Sequence, residues 1–387
     1  MDQAHSDEDQ RLMSAALECA AAGRGLVEPN PMVGAVIARD GREIARGWHG
    51  RFGGPHAEIE AMRAARQAGA DVRGATMYVT LEPCCHHGKT PPCTDAVVAA
   101  GIARVVAAME DPDARVAGQG FARLRQAGIE VTVGVCEERA RRLLGAYCKL
   151  RRTGRPWVIC KWAQTADGFL ALPSGQGRWI SNERSRAVVH ELRGLVDGIL
   201  VGAATVLRDD PLLTNRGPNP RQPVRVVLDG QLSTPPDSQL IRTARQTPTL
   251  VVATQAGQLA RYDRSALLHQ AGAELLVLPA GPSAIPSECG RAQVCLGALL
   301  DELGRRQWTH LLVEGGPNVL RQFISAGLAD ELLVFCPAQA DLDGRIDAVA
   351  HMDLPRYDLA DLARQGKLPA PEIRLLDGDV MFRLVLS

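Results

Sequence analysis

His56-Ala57-Glu58 and Pro83-Cys84-Cys85-His86-His87-Gly88-Lys89-Thr90-Pro91-Pro92-Cys93 decide how this chain is read. The tripeptide opens a run, 57–68, with helical apolar spacing. The longer segment follows a strand-like run, 76–81, and enters a second helical run, 92–100. One imidazole and two thiolates make three protein ligands and leave a fourth corner for water, which is what a catalytic zinc needs. Glu58 lies in the same helical turn as His56 and reaches that water without being a ligand. Zinc lowers the pKa of bound water to about 7. A carboxylate beside it can take the proton and pass it to a leaving group. The expected ligands are therefore His56, Cys84 and Cys93, with Glu58 catalytic. Cys84 is preferred to Cys85 because it directly follows Pro83 at the strand end, and Cys85 reads as a small buried filler. A closed structural site drawn from Cys84, Cys85, His86, His87 and Cys93 is the competing reading, and it leaves His56-Ala57-Glu58 unexplained.

Outward from this centre, strands alternate with helices. Segment 11–24 reads as a helix, 33–38 and 43–48 as strands joined by a turn at Asp40-Gly41, 103–109 and 129–133 as strands, and 120–126 as a helix. Such alternation predicts a largely parallel sheet with helices on both faces. A basic stretch, Lys149-Leu150-Arg151-Arg152-Thr153-Gly154-Arg155-Pro156, marks the expected boundary: a first domain over 1–149, a linker over 150–155, a second domain over 156–387. In the second domain, runs at 158–163, 198–201, 224–228, 249–253, 275–278, 310–313 and 332–335 are strand-like, and 182–193 and 319–326 helix-like. Residues 280–290 read as a surface loop, and patterning is weak beyond Asp341.

A chain of 387 residues is too long for one ordinary core. Its 44 basic and 44 acidic residues cancel, which argues against a nucleic-acid partner. No apolar run is long enough for a membrane span, and the polar start lacks a signal peptide's pattern. Ten cysteines without a secretion signal read as reduced thiols, so the expected compartment is the cytoplasm.

The H-x-E and P-C…C pattern is that of zinc nucleobase deaminases. Its long loop between the cysteines resembles one branch, the bacterial bifunctional riboflavin-biosynthesis deaminase–reductases, whose segment reads P-C-S-H-H-G-R-T-P-P-C. This chain departs at Cys85 and Lys89. Pro29-Asn30-Pro31-Met32-Val33-Gly34 matches as well, and the resemblance places Asn30 at the pyrimidine edge. His49 reads as structural, and His86, His87, Lys89 and Thr90 as candidates for the substrate phosphate.

No G-x-G-x-x-G follows a strand in the second half. Val313-Glu314-Gly315-Gly316-Pro317 instead joins a strand to a helix, where glycines admit a phosphate or simply make a tight turn. Further segments match the family's dihydrofolate-reductase-like domain, among them 161–168, 178–181, 200–211, 213–216 and 223–229. The resemblance implies an α/β chain with an N-terminal cytidine-deaminase-like α/β/α domain and a C-terminal dihydrofolate-reductase-like α/β domain. It implies zinc and NADPH as cofactors. Ala163, Trp179, Thr205, Asp209 and Gly316 take the NADPH positions, and Arg193, Leu213, Arg216 and Glu314 the substrate positions. Asp209 and Glu314 each remain candidates for proton work at the sugar, and Lys161 is either a site residue or a strand-edge surface lysine. Gly177 replaces a serine and removes one hydroxyl contact.

The implied reactions are hydrolytic deamination of 2,5-diamino-6-(ribosylamino)pyrimidin-4-one 5′-phosphate and NADPH reduction of the ribosyl group of 5-amino-6-(5-phosphoribosylamino)uracil. The expected partner is a small phosphorylated pyrimidine, and the expected assembly a homo-oligomer, dimer or tetramer. A nucleoside or tRNA deaminase, a deaminase with a decayed reductase, and a non-catalytic nucleotide-binding module are the rival readings.

Overall fold

The computed structural model describes residues 5–86, 91–164, 180–219, 221–281, 293–337 and 371–386. The chain forms two compact units, Met1–Gly154 and Arg155–Ser387.

In the first unit the helices are α1 (Asp7–Ala20), α2 (Ala57–Gln67), α3 (Cys93–Ala99), α4 (Gln119–Gln126), α5 (Glu137–Leu143) and α6 (Gly145–Thr153). The strands are β1 (Gly34–Arg39), β2 (Arg42–Trp48), β3 (Thr76–Val79), β4 (Arg104–Ala107) and β5 (Glu130–Val133). Helix α1 starts earlier than apolar spacing predicts, because Ser6 Oγ accepts from the Asp9 amide and Asp7, Glu8 and Asp9 favour its positive end. The sheet order is β2-β1-β3-β4-β5.

Strands β3, β4 and β5 run parallel, but β1 is antiparallel to both neighbours, which corrects the largely parallel expectation for this unit. The cause is local. Asp40 and Gly41 both hold positive φ, 49° and 71°, and such a two-residue turn folds β1 directly back on β2. Side chains alternate between two cores. Val36, Tyr78 and Val106 face α1, α5 and α6, whereas Ile37, Met77 and Val105 face α2, α3 and α4. The result is an α/β/α sandwich.

The second unit contains β6 (Trp157–Ala163), α7 (Glu183–Arg193), β7 (Gly198–Gly202), α8 (Ala203–Asp209), β8 (Val224–Leu228), α9 (Gln239–Arg242), β9 (Thr249–Thr254), α10 (Gln255–Ala260) and α11 (Tyr262–Gln270). There follow β10 (Glu274–Leu278), the short ribbon β11 (Ala280–Gly281) and β12 (Gln293–Val294), α12 (Leu296–Arg305), β13 (His310–Val313), α13 (Pro317–Ser325), β14 (Glu331–Pro337), β15 (Glu372–Leu376) and β16 (Asp379–Val385). The main sheet runs β10-β9-β8-β7-β13-β6-β14-β16-β15. It is parallel from β10 to β14, and β16 and β15 close it antiparallel.

Weak patterning beyond Asp341 hid β15 and β16, and the predicted loop over 280–290 begins in the β11 strand. Leu299, Leu303 and Phe323 pack one face of the sheet; Val189, Val206, Leu240 and Leu268 pack the other. Arg225, on β8, is 0% exposed. It meets no carboxylate among the described residues; its guanidinium donates to the carbonyls of Leu212, Leu240 and Thr247 and to the hydroxyls of Thr243 and Thr249. Among the described residues, no helix is long and apolar enough to cross a membrane.

Helix α2 lies directly on β2: a Cβ on Gly47 would stand 2.2 Å from the Ala61 nitrogen and 2.8 Å from the Ala57 oxygen, both helix backbone. Gly47→Val should therefore cost about 3 kcal/mol through overpacking. Denaturant unfolding followed by circular dichroism checks this; an unchanged first transition would contradict it.

Candidate active site

Three donors meet at one end of the first sheet. His56 is the N-cap of α2, Cys93 the first residue of α3, and Cys84 follows the chain leaving β3. His56 Nδ1 lies 3.2 Å from Cys93 Sγ and 3.5 Å from Cys84 Sγ, and all three donor atoms fall within 4.8 Å of one another. A tetrahedral zinc, with bonds of about 2.1 Å to nitrogen and 2.3 Å to sulfur, holds its donors roughly 3.6 Å apart. The donor set therefore fits the ion in number, chemistry and spacing. Among the described residues this is the one His/Cys/Asp/Glu group that could hold a metal, and Cys85 is outside it.

The Cys93 amide donates to Cys84 Sγ at 3.3 Å. Side-chain contact between the two thiols pulls Cys84 down to about 4 and pushes Cys93 up. Contact with Cys84 also raises His56. A divalent ion takes both sulfurs as thiolates. Glu58 is 3% exposed. Burial, then the neighbouring Cys84 charge, pushes its carboxyl up to about 7.

A cavity of about 240 Å³ opens onto this group, lined in part by Asn30, His49, Glu58, Asp111, Asp113 and Tyr147. His49 is buried. Its Nδ1 lies 2.8 Å from the Pro55 carbonyl, which only accepts, so Nδ1 carries the proton and Nε2 is left as acceptor. The Asn30 amide nitrogen, 3.1 Å from Nε2, donates to it, and the Asn30 oxygen is thereby oriented away from His49.

Asp111 and Asp113 escaped the sequence reading. Burial pushes Asp111 up to about 6, against hydrogen bonds from the Asp113 amide and the Tyr147 hydroxyl. The signal that points to them is the acidic pair following the strand-like run 103–109. Glu82 was missed too. Its carboxylate accepts from the amides of Asp111, Gly118, Gly120 and Phe121, tying the cavity wall to the cysteine segment. Of the loop residues named for phosphate, His86 lines the cavity, and His87, Lys89 and Thr90 lie outside the described residues.

In the second unit, Ala163, Gly202 and Glu314 stand at or just beyond the carboxyl ends of the neighbouring strands β6, β7 and β13. Open α/β sheets bind ligands at such ends. The Gly316 amide donates to Thr205 Oγ1 at 3.1 Å, so these two residues sit together at the start of α13. A Cβ on Gly315 would lie 2.6 Å from Val319 Cβ, so the turn admits only glycine there. This glycine cradle beside a helix start suits a dinucleotide phosphate. Asp209 pairs with its neighbour Arg208 on the surface. Trp179 and Gly177 lie outside the described residues.

Arg193 and Glu314 form a bidentate ion pair, 3.0 and 2.8 Å, with side chains 13% and 10% exposed. The remaining Arg193 fork arm donates to the Thr214 carbonyl. The guanidinium that the resemblance places at a substrate position is thus engaged by Glu314. Burial works to raise Glu314, but Arg193 and Lys161 outweigh it and hold it low. Lys161 lies on β6, inside the sheet between β13 and β14, so it is not a strand-edge lysine. Its ammonium sits over the Phe335 ring at 5.6 Å, and burial lowers it against the pull of Glu314. Leu213 is buried at φ 53°, with the preceding carbonyl held by Arg225.

A unit carrying this donor set, joined to a second unit with a strand-end glycine cradle, falls in the class of two-domain deaminase–reductases. Residues 6–109 match the cytidine and deoxycytidylate deaminase zinc-binding region, and residues 156–337 match the RibD C-terminal domain. The riboflavin biosynthesis protein RibD of Actinobacillus pleuropneumoniae is 40% identical over 98% of this chain and 95% of its own length. That of Escherichia coli is 38% identical over 98% of this chain and 99% of its own. A Thermotoga maritima diaminohydroxyphosphoribosylaminopyrimidine deaminase/5-amino-6-(5-phosphoribosylamino)uracil reductase structure superposes with a TM-score of 0.76 at 34% identity, covering 98% of both chains. The chain belongs to the RibD family, as the resemblance in its sequence implied.

Arg193→Leu should leave Glu314 buried without its partner and cost about 3–5 kcal/mol. Glu314 is held low in the folded state, so the pair's contribution is present above the unfolded carboxylate pKa and lost as pH falls through the folded one. The loss on substitution should shrink on acidification, which parallel denaturant titrations at neutral and acidic pH would read.

Proposed function

We propose that this chain, a bifunctional deaminase and reductase of riboflavin biosynthesis, deaminates 2,5-diamino-6-(ribosylamino)pyrimidin-4-one 5′-phosphate in its first unit. The aminouracil ribotide so formed has its ribosyl group reduced to ribityl in the second. The carrying observation is the convergence of His56, Cys84 and Cys93 beside buried Glu58.

Zinc and NADPH are the cofactors; bound, they supply activation of water and a hydride. His56, Cys84 and Cys93 hold the metal, and the glycine turn with Thr205 and Gly316 takes the dinucleotide, with Ala163, Asp209 and Trp179 as further contacts. Asn30, with its nitrogen fixed by His49, meets the pyrimidine edge. Glu58 accepts the proton of the incoming water and returns it to the exocyclic nitrogen, so water enters and ammonia leaves. In the reduction, hydride reaches C1′, the C1′–O4′ bond breaks, and a proton goes to O4′. Lys161 gives that proton, Glu314 orients the sugar, and Arg193, Leu213 and Arg216 frame the substrate.

The cytoplasm is the compartment of this reading, since every described cysteine is a free thiol. A homo-oligomer is its assembly: Ile373 and Leu375, on the edge strand β15, are 60% and 75% exposed. Leu375→Lys should lower the mass seen in sedimentation, and an unchanged mass would remove this edge from the interface.

Incubation with the diaminopyrimidine ribotide, with and without NADPH, tests the whole reading by product mass. The ribityl product should form only with NADPH, and uracil ribotide accumulating despite NADPH would refute the second step. Glu58→Gln should keep one zinc per chain yet slow ammonia release by about 10²–10⁴-fold. Reduction of supplied aminouracil ribotide should continue in that variant. Loss of both reactions together would contradict two separate sites.

A further inference from the structure

Arg193 cannot serve as the main anchor of a substrate phosphate, because its fork is engaged by Glu314 and the Thr214 carbonyl. Arg216 is the exposed guanidinium of that neighbourhood, with no hydrogen-bond or ion-pair partner among the described residues. A phosphomonoester dianion bound by one exposed arginine is poorly held; such sites gather a second charged donor.

We propose that His190 is that second donor, a phosphate contact of the reductase substrate beside Arg216. The inference rests on the reading that Arg216 and Glu314 belong to the substrate site. His190 occupies α7 one turn before Arg193 and one turn after Arg186, so the three share a helix face. The loop bearing Arg216 docks on the same stretch of helix. A Cβ on Gly217 would lie 3.0 Å from the Glu191 Cα, and one on Gly194 would lie 2.7 Å from the Asn215 amide nitrogen. Arg193 ties this loop down again at Thr214. The His190 Nδ1 is buried with no hydrogen-bond partner. Buried polar atoms are seldom left so without a ligand or water to meet them.

The charged groups around the imidazole are Arg186 and Arg193 on its own helix, Arg216 on the loop and Glu314 beyond β13. Burial first, then the three arginines, lowers its proton affinity, with Glu314 opposing. In the free site His190 therefore holds a proton less readily than an ordinary imidazole. An arriving dianion reverses the balance of charge, and the imidazole takes up a proton as it donates to the phosphate. Phosphate binding becomes proton-linked, and affinity falls as pH rises.

The test uses the full-length zinc-loaded protein with NADPH and compares aminouracil ribotide with its dephosphorylated riboside. His190→Gln should raise KM for the ribotide about tenfold, as expected for losing a charge-assisted hydrogen bond, with kcat within about twofold. The riboside KM should not move, and deamination by the same preparation should be intact. The pH dependence of the ribotide KM should flatten in His190→Gln relative to the unaltered protein. His190→Lys should restore tight binding and hold it to higher pH. If Arg216→Ala raises the ribotide KM and His190→Gln does not, His190 is not a phosphate contact, although the site stands. If neither moves it, the placement of the site itself fails. Equal losses on ribotide and riboside would make His190 a structural residue and overturn the proposal.

Discussion

Two helices begin where one strand ends, and the chemistry of the first unit depends on that meeting. His56 caps α2, Cys93 starts α3, and Cys84 leaves β3. None of these residues could be moved along its element by one position and still meet the others. Gly47 lets α2 lie against the sheet, and Glu82 gathers four amides of the opposite wall while standing two residues before Cys84. Each of these supports acts on backbone, so the donors are placed by the fold and not by flexible side chains. Side chains held by a rigid second layer are what precise metal sites require.

How much of this was legible follows from range. The zinc group was readable because each half is local: a tripeptide at a helix start, and two cysteines around a loop that follows a strand. Strand existence was readable for the same reason, since runs such as 224–228 and 310–313 are short and apolar. What escaped was set at long range. The orientation of β1 is the exception, since it follows from the local turn at Asp40-Gly41. β15 and β16 carry Glu, Arg and Asp among their apolar residues because they close the sheet's edge, so neither periodicity stood out. Asp111 looks like any loop aspartate until Tyr147 and the cavity surround it. His190 lies unremarked in a helical run, and only the docking of loop 214–217 on that helix at Glu191 and Gly194 draws notice to it.

In the second unit, burial of charge is the organising cost. Arg225 is fully enclosed with only carbonyls and hydroxyls for company, an arrangement viable because five acceptors meet its two terminal nitrogens. Its contact with the Leu212 carbonyl steadies Leu213 in a left-handed conformation that an isolated leucine avoids. Thr214, next in line, accepts from Arg193. A core arginine and a site arginine thus hold consecutive parts of the same loop, and the position of Arg216 follows from both.

The two buried glutamates differ in how readily they hold a proton. Glu58 has thiols and an imidazole nearby, and burial dominates, so its carboxyl exchanges a proton near neutrality. A dication bound to two thiolates is formally neutral, so the ion leaves burial as the chief influence there. Glu314 has Arg193 and Lys161 instead, and they keep it ionised. An ionised carboxylate is a poor acid but a good orienting acceptor for a sugar hydroxyl. Asp209, on the surface with Arg208, has no such environment. The proton that O4′ needs as the ribose opens therefore comes, on this reading, from neither carboxylate. Lys161, with its ammonium weakened by burial and steered by Glu314, is the acid whose surroundings suit the task.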